Sequence, residues 1–330
     1  MKYSLAIRFT LYAVAFAASI NASAQSYPAK PVRLVVSGAA GGAIDLTARA
    51  MGERLSPLLG QAVIVENRPG ANALLGHEYV AKSAPDGYTL AIGTGGPLVI
   101  TPLLEPDVVR FNSREDFVPV SRLMLVPVVL AVAPPLGISS FKELRSLLLS
   151  QPDKYSFAFL ALGTVSHTSA TYLAQLIGAK VLPVPYKGIT AALPDITTGR
   201  VSMVIDAPTT LAEHIRAKKL VGIAALTKVR IPGLDIPTIG EAGLPEMMQF
   251  EWGAWSMVLA PKGTPGPVVE RLNRDIVGAL KDPGLQTQYA QLFALATPTT
   301  LAETRTFLDE QLKLWPPLFQ SMGLLKSPPR

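Results

Sequence analysis

The chain has 330 residues, 49% of them hydrophobic, which is enough apolar material for two cores of roughly 150 residues each. It has no cysteine and only three histidines, His77, His167 and His214, too scattered for metal-ligand spacing; a disulfide framework, thiol chemistry and a zinc site are therefore not expected, and no cofactor motif is present. The formal charge of +6, of which Lys2 and Arg8 supply two, is mild and unclustered and leaves no electrostatic footprint for nucleic acid.

Residues 1–24 read as an export signal. Lys2 and Arg8 form a positive start, Leu11 to Ile20 is an apolar stretch too short to span a bilayer, and Ala22-Ser23-Ala24 is a cleavage site, so the exported chain begins at Gln25 and is periplasmic. Leu34-Val35-Val36 then reads as a buried strand, Ser37 to Ala43 as a turn of small residues, and the stretch beyond as a helix with Ala48, Met51, Leu55 and Leu58 on one face. A strand, a bare turn (Ala39, Ala40, Gly41, Gly42) and a helix start make a cradle for an anion, because the first amides of a helix have no partner inside it. Asp45 falls in the first helical turn; it either contacts a ligand donor or simply complements the helix dipole, a contribution of roughly 0.3–1 kcal/mol. The turn lacks the Gly-Lys-Ser/Thr ending of a phosphate loop and the G-x-G-x-x-G of a dinucleotide site.

The pattern repeats. Val63-Ile64-Val65 is a second parallel strand, Leu75 to Lys82 a helix, and Tyr88 to Ile92 a third strand ending in a bare turn at Gly93-Thr94-Gly95-Gly96. Arg122 to Ala133 is a long β-rich run interrupted by Pro127, which suits a crossover or an edge better than a central strand. Ser140 and Glu143 form a capping box for a helix over 141–149. Tyr155 to Leu160 is a strand, Ala161 to Ser166 a turn, and His167 to Ile177 a helix whose start is offered the hydroxyls of Thr164 and Ser166. Val201 to Ile205 leads through Asp206 and Pro208 into another helix, Leu220 to Leu226 is a further strand, and Ser256 to Ala260 is the return crossover. Helices over 268–280 and 300–322 close the chain and pack on the first lobe. Four junctions, Gly38–Asp45, Gly93–Pro97, Gly163–Ser166 and Asp206–Thr210, thus share one design. In parallel α/β lobes such strand ends lie along one edge, and two facing edges make a cleft lined by backbone N–H groups, suited to a carboxylate without an arginine.

The ordered strings YPAKPVRLVV, GGAID, VENRPGA, VAKSAPDGYTL, VPYKG, PTIGEAGLP and LAPKGTP resemble the Bug-type extracytoplasmic solute receptors of tripartite tricarboxylate transport systems, over about Tyr27 to Gly323. The resemblance implies an α/β, two-lobed type II periplasmic binding fold with crossover hinge strands and an interlobe cleft that closes on a small carboxylate. On this reading lobe one comprises residues 25–125 and 251–330, and lobe two residues 126–250. The partner is a membrane transporter of that type. The resemblance also implies a binding role for the Ser-His pair and places an Asp at position 45 of the Gly-rich motif. Departures are local: Ala40 stands for a usual proline, Ala43-Ile44 for Gly-Thr, Asn72-Ala73-Leu74 for Gly-Gly-Asn and Met257 for a glycine, which makes the pocket greasier.

The expected ligand contacts are Ala39, Ala40, Gly41, Gly42, Asp45, Thr94, Gly95, Thr164, Val165, Ser166, His167 and Asp206, with the carboxylate between Ala39–Gly42 and Thr164–Ser166. Lys187 either neutralises a distal carboxylate or is simply solvated, and Trp252 and Trp255 either line the cleft mouth or pack the lobes together. Two rival classes remain: a receptor that reports to a sensor kinase ectodomain, and a periplasmic hydrolase. The hydrolase lacks a nucleophile–base pair, since adjacent Ser166 and His167 diverge around a helix and the elbow G-x-S-x-G is absent.

Overall fold

The structure, a computed structural model, describes residues 27–325. The expected export signal over residues 1–24 and its cleavage after Ala24 lie outside them.

Two sheets organise the chain. In the first, β1 (Val32–Val36) pairs in parallel with β2 (Val63–Asn67) and β3 (Thr89–Thr94). β1 is buried at four of its five positions, as a strand covered on both faces requires. Helix α1 (Ala43–Leu59) covers one face with Ala48, Met51, Leu55 and Leu59. Leu59, not Leu58, completes that stripe; Leu58 is 45% exposed, and Gly60 in the left-handed conformation caps the helix. Helix α2 (Leu74–Ala81) lies on the opposite face.

The turn expected at Gly93–Gly96 does not form. β3 keeps its ladder through Thr94, and Gly95 is already helical, so the strand feeds directly into a π-helical turn (Gly96–Ile100) and α3 (Thr101–Leu104). The run around Pro127 is two strands. β4 (Phe117–Pro127) belongs to the first sheet and β5 (Val129–Val132) to the second, so Pro127, which lacks a ladder donor, stands where the chain changes sheets.

The second sheet runs β7-β6-β8-β5-β9, with β6 (Ser156–Phe159), β7 (Leu182–Pro185), β8 (Met203–Asp206) and β9 (Val221–Ala225). Helices α4 (Phe141–Ser150) and α5 (Val165–Ile177) cover one face, and α6 (Ile189–Thr197) and α7 (Pro208–Arg216) the other. The Ser140–Glu143 capping box starts α4 as its residues dictate.

The chain returns through Met247–Trp252 into β10 (Gly253–Pro261), which lies antiparallel between β3 and β4. Helix α8 (Gly266–Leu280) packs beside α1. A helix that the sequence reading omitted, α9 (Pro283–Gln291), follows under an Asp282 cap, and the two-residue β11 (Leu295–Ala296) completes the first sheet in the order β11-β4-β10-β3-β1-β2. Helix α10 (Leu301–Ser321) has its own capping box at Thr300 and Glu303. It packs Phe307, Leu308, Trp315 and Phe319 into a core that continues into the second lobe. The α/β fold with two lobes, crossover strands and an intervening cleft is the one expected.

Candidate functional site

A cavity of about 480 Å³ lies between the lobes. The first sheet's side contributes Ile44, the strand–helix junction Thr94-Gly95-Gly96, and Val99, Ile100 and Leu104; the second contributes Leu162, Gly163, Thr164 and Val165; β10 and α10 add Gly253, Ala254, Trp255 and Trp315. No lining residue is charged. The lobes touch at the rim: a β-carbon on Gly163, which has φ +79°, would sit 2.9 Å from Leu104 Cδ1.

Three of the four repeated junctions meet here, through Ile44 at the start of α1, Gly95-Gly96 ahead of α3, and Val165 at the start of α5. Each brings first-turn amides and the positive end of peptide dipoles toward one space. The fourth junction does not line it. Asp206 ends β8 half-buried; burial pushes its carboxyl up, partly opposed by hydrogen bonds from the Ala207 amide and Thr210.

The first loop is held by Asp45, whose carboxylate is fully occupied. Oδ2 accepts from the Gly41 amide at 2.8 Å and Arg49 Nε at 3.0 Å, and Oδ1 accepts from Asn67 Nδ2 at 2.9 Å. Burial pushes this carboxyl up, but the hydrogen bonds from Arg49, Gly41 and Asn67 outweigh it and hold the group below the usual carboxylate range. Asn67 Nδ2 also reaches Gly38 O, and Arg49 Nη2 reaches Asn67 Oδ1. Asp45 therefore braces the loop, with both oxygens engaged within it, and it does not line the cavity. Ala39, Ala40, Gly41 and Gly42 stand exposed just before Ile44 and are not part of the cavity wall.

The second loop is closed in the same manner. Thr164 Oγ1 donates to Ala161 O at 2.6 Å, so at its 3.1 Å contact with Ser166 Oγ it accepts; Ser166 Oγ itself accepts from the Leu160 amide. Both hydroxyl protons are spent inside the loop. His167 Nδ1 accepts from the Gly163 amide at 3.4 Å and packs 4.9 Å from the Phe159 ring; burial pushes its pKa down, in keeping with a neutral ring. Ser166 and His167 thus have separate partners and form no nucleophile–base pair.

Ser37 and His77 do approach, at 3.0 Å, but Nδ1 also lies 2.7 Å from Ala73 O. A carbonyl only accepts, so Nδ1 carries the proton and cannot serve Ser37 as a base.

Lys187 is exposed beyond β7 and does not line the cavity. The two tryptophans divide. Trp252 is fully buried and donates to Met247 O, a packing role, whereas Trp255 forms part of the cavity wall. Ile44, Gly96, Val99, Ile100, Leu104, Leu162, Gly163, Gly253, Ala254 and Trp315 were not among the expected contacts. Their signal was available only in part: Val99, Ile100 and Leu104 follow a bare strand end, but nothing local brings a residue of the last helix to the cleft.

The chain matches a family profile described as tripartite tricarboxylate transporter family receptor over residues 47–324. It is 34% identical over 303 residues to Protein BugT of Bordetella pertussis (strain Tohama I), covering 91% of this chain and 92% of that protein. Among solved structures it is similar to Rpa4515 of R. palustris with adipate, at 30% identity and a TM-score of 0.69, covering 90% of this chain and 98% of that one. It is also similar to MatC of Rhodopseudomonas palustris with bound malate, at 30% identity and a TM-score of 0.64, covering 88% and 99%. Fold, cleft and sequence agree: the chain belongs to the tripartite tricarboxylate transporter receptors, a family of solute-binding receptors and not of enzymes.

Proposed function

We propose that this protein is a periplasmic receptor that captures a small carboxylate in the interlobe cavity and delivers it to a tripartite tricarboxylate-type membrane transporter. The observation that carries the reading is the convergence of three helix starts on one uncharged cavity. Amides and peptide dipoles provide favourable potential for an anion where no cationic side chain does. The adipate and malate bound by two relatives of the same fold support the carboxylate class.

The head group is held by amides at Gly95–Gly96 and Val165–Ser166, with Thr94 beside them and bridging water where the reach is long. Ile44 brings the third helix start. Residues 39–42 and His167 act by shaping the two loops. The lobes close about the crossings at Pro127–Val129 and 226–252, and closure buries the ligand. Titration calorimetry with adipate, malate and benzoate on protein stripped of bound solute by unfolding and refolding tests this. Saturable one-to-one binding of at least one acid is expected, and a properly refolded protein that binds none of them contradicts it.

A further inference from the structure

One indole N–H of the cavity wall has no partner among the described residues. Of the three tryptophans, Trp252 Nε1 donates to Met247 O at 2.7 Å and Trp315 Nε1 to Gln311 Oε1 at 2.9 Å. Trp255 is 3% exposed, lines the cavity, and its Nε1 has no acceptor among the described residues. Its nitrogen edge lies flat on Gly95: a β-carbon there would be 3.2 Å from Nε1. The indole N–H is therefore beside the amides that precede α3, and its plane is set by Phe307, edge-on at 5.1 Å. Trp255 Nε1 is not one of the enclosed unpartnered atoms, so the N–H opens onto the cavity, and at an anion-favouring corner it stands ready for an acceptor that arrives with the ligand.

The rest of the wall has the opposite character. Val99, Ile100 and Leu104 offer only carbon, and the one polar side-chain atom of Trp315 is already used. A second carboxylate on a ligand would shed its water against these side chains with no compensating donor, which is costly. An apolar body buries its own surface there at a gain.

We propose that the cavity is built for a monocarboxylate with an apolar body, whose carboxylate accepts the Trp255 indole N–H beside the Gly95–Gly96 amides. The proposal rests on the receptor reading above and narrows its ligand to one charged end.

The test is titration calorimetry of the refolded protein with benzoate and hexanoate as monocarboxylates and adipate and malate as doubly charged acids. The monocarboxylates are expected to bind at least about tenfold more tightly. Trp255→Phe, which keeps an aromatic ring but removes the N–H together with part of the indole's bulk, is expected to weaken benzoate on the order of tenfold, the scale of one charge-assisted hydrogen bond. Leu162→Arg is a second variant at a site 65% exposed and tolerant of a long side chain. It is expected to shift preference toward adipate by placing a cation at the apolar end. Tighter binding of adipate or malate by the unaltered protein overturns the narrowing while leaving the receptor reading intact. So does a folded Trp255→Phe protein that binds benzoate undiminished. Binding of none of the four acids overturns both.

Discussion

At the scale of single residues, the polar side chains nearest the cleft mostly serve the loops that carry the amides. Asp45 shows this most clearly, with its two oxygens divided among Gly41, Arg49 and Asn67. Asp45→Ala should lower stability by about 2 kcal/mol, the scale of hydrogen bonds to a charged group, and weaken ligand binding through a loosened loop. Chemical denaturation and calorimetry would show both; an unchanged midpoint would remove the loop-anchor role. His77 gives a pH dependence with a definite sign. Burial lowers its pKa to about 4 from the ordinary 6.5, opposed by its bond to Ala73 O, and its Nε2 is buried with no partner. The folded state thus favours the neutral ring. The stabilisation is complete above about pH 6.5 and is lost as the pH falls toward 4, in total about 3 kcal/mol for a shift of this size. Unfolding midpoints between pH 7 and 4 should fall accordingly, and His77→Gln should flatten that part of the profile. The sequence exposed Asp45 as a first-turn carboxylate but not its three partners, because Asn67 reaches it from a neighbouring strand. His77 was legible only as a non-ligand.

At the scale of elements, the crossings join the lobes. β4 carries the chain out and β10 brings it back, and Arg122 of β4 lies 3.2 Å from Glu251 ahead of β10, with its guanidinium 4.0 Å from the centre of the Phe307 ring. Both side chains are largely withdrawn from water, at 11% and 21% exposure. Glu251→Ala leaves the guanidinium without its counter-charge and should destabilise by about 3 kcal/mol. A loss below 1 kcal/mol in urea denaturation would mean that the pair is solvated like any surface bridge. A second connection is aromatic. Tyr172 of α5 meets Phe250 edge-on at 5.0 Å and Trp252 at a tilt at 5.7 Å, and both of these reach Trp315 of α10. Element types were legible because periodicity and caps are local: the box read at Ser140 forms as its residues require, and the unread one at Thr300 carries the same signal. The failures are equally physical. Gly93–Gly96 looked like a turn because glycine is the usual turn residue, yet Gly93 is packed under Leu259 and Leu98, and Gly95 under Trp255. These glycines serve close packing, which composition does not distinguish from a bend. Gly95→Ala should therefore displace the indole and weaken ligand binding several-fold with little change in helix content; calorimetry beside circular dichroism would separate the two, and unchanged affinity would show that the contact is immaterial.

At the scale of the whole molecule, two α/β layers with strand ends facing each other produce a cleft whose recognition is carried mainly by backbone. This is why the fold and the junctions could be read from sequence while much of the wall could not. Repeated strand–turn–helix units announce themselves in order along the chain. Trp315, by contrast, comes from a helix that follows the second lobe by many residues and returns to the first. An uncharged wall also explains why no motif of charged residues marked the ligand. The central claim is that this cleft closes on a carboxylate. Thermal unfolding of refolded, solute-free protein against citrate, succinate, glutamate, aspartate, nicotinate, benzoate and terephthalate tests it most directly. An acid present at a hundredfold over its dissociation constant should stabilise the protein by about 2.7 kcal/mol and raise its midpoint visibly. The account predicts such a shift for at least one of them, whereas a cooperative transition that none of them moves would contradict it.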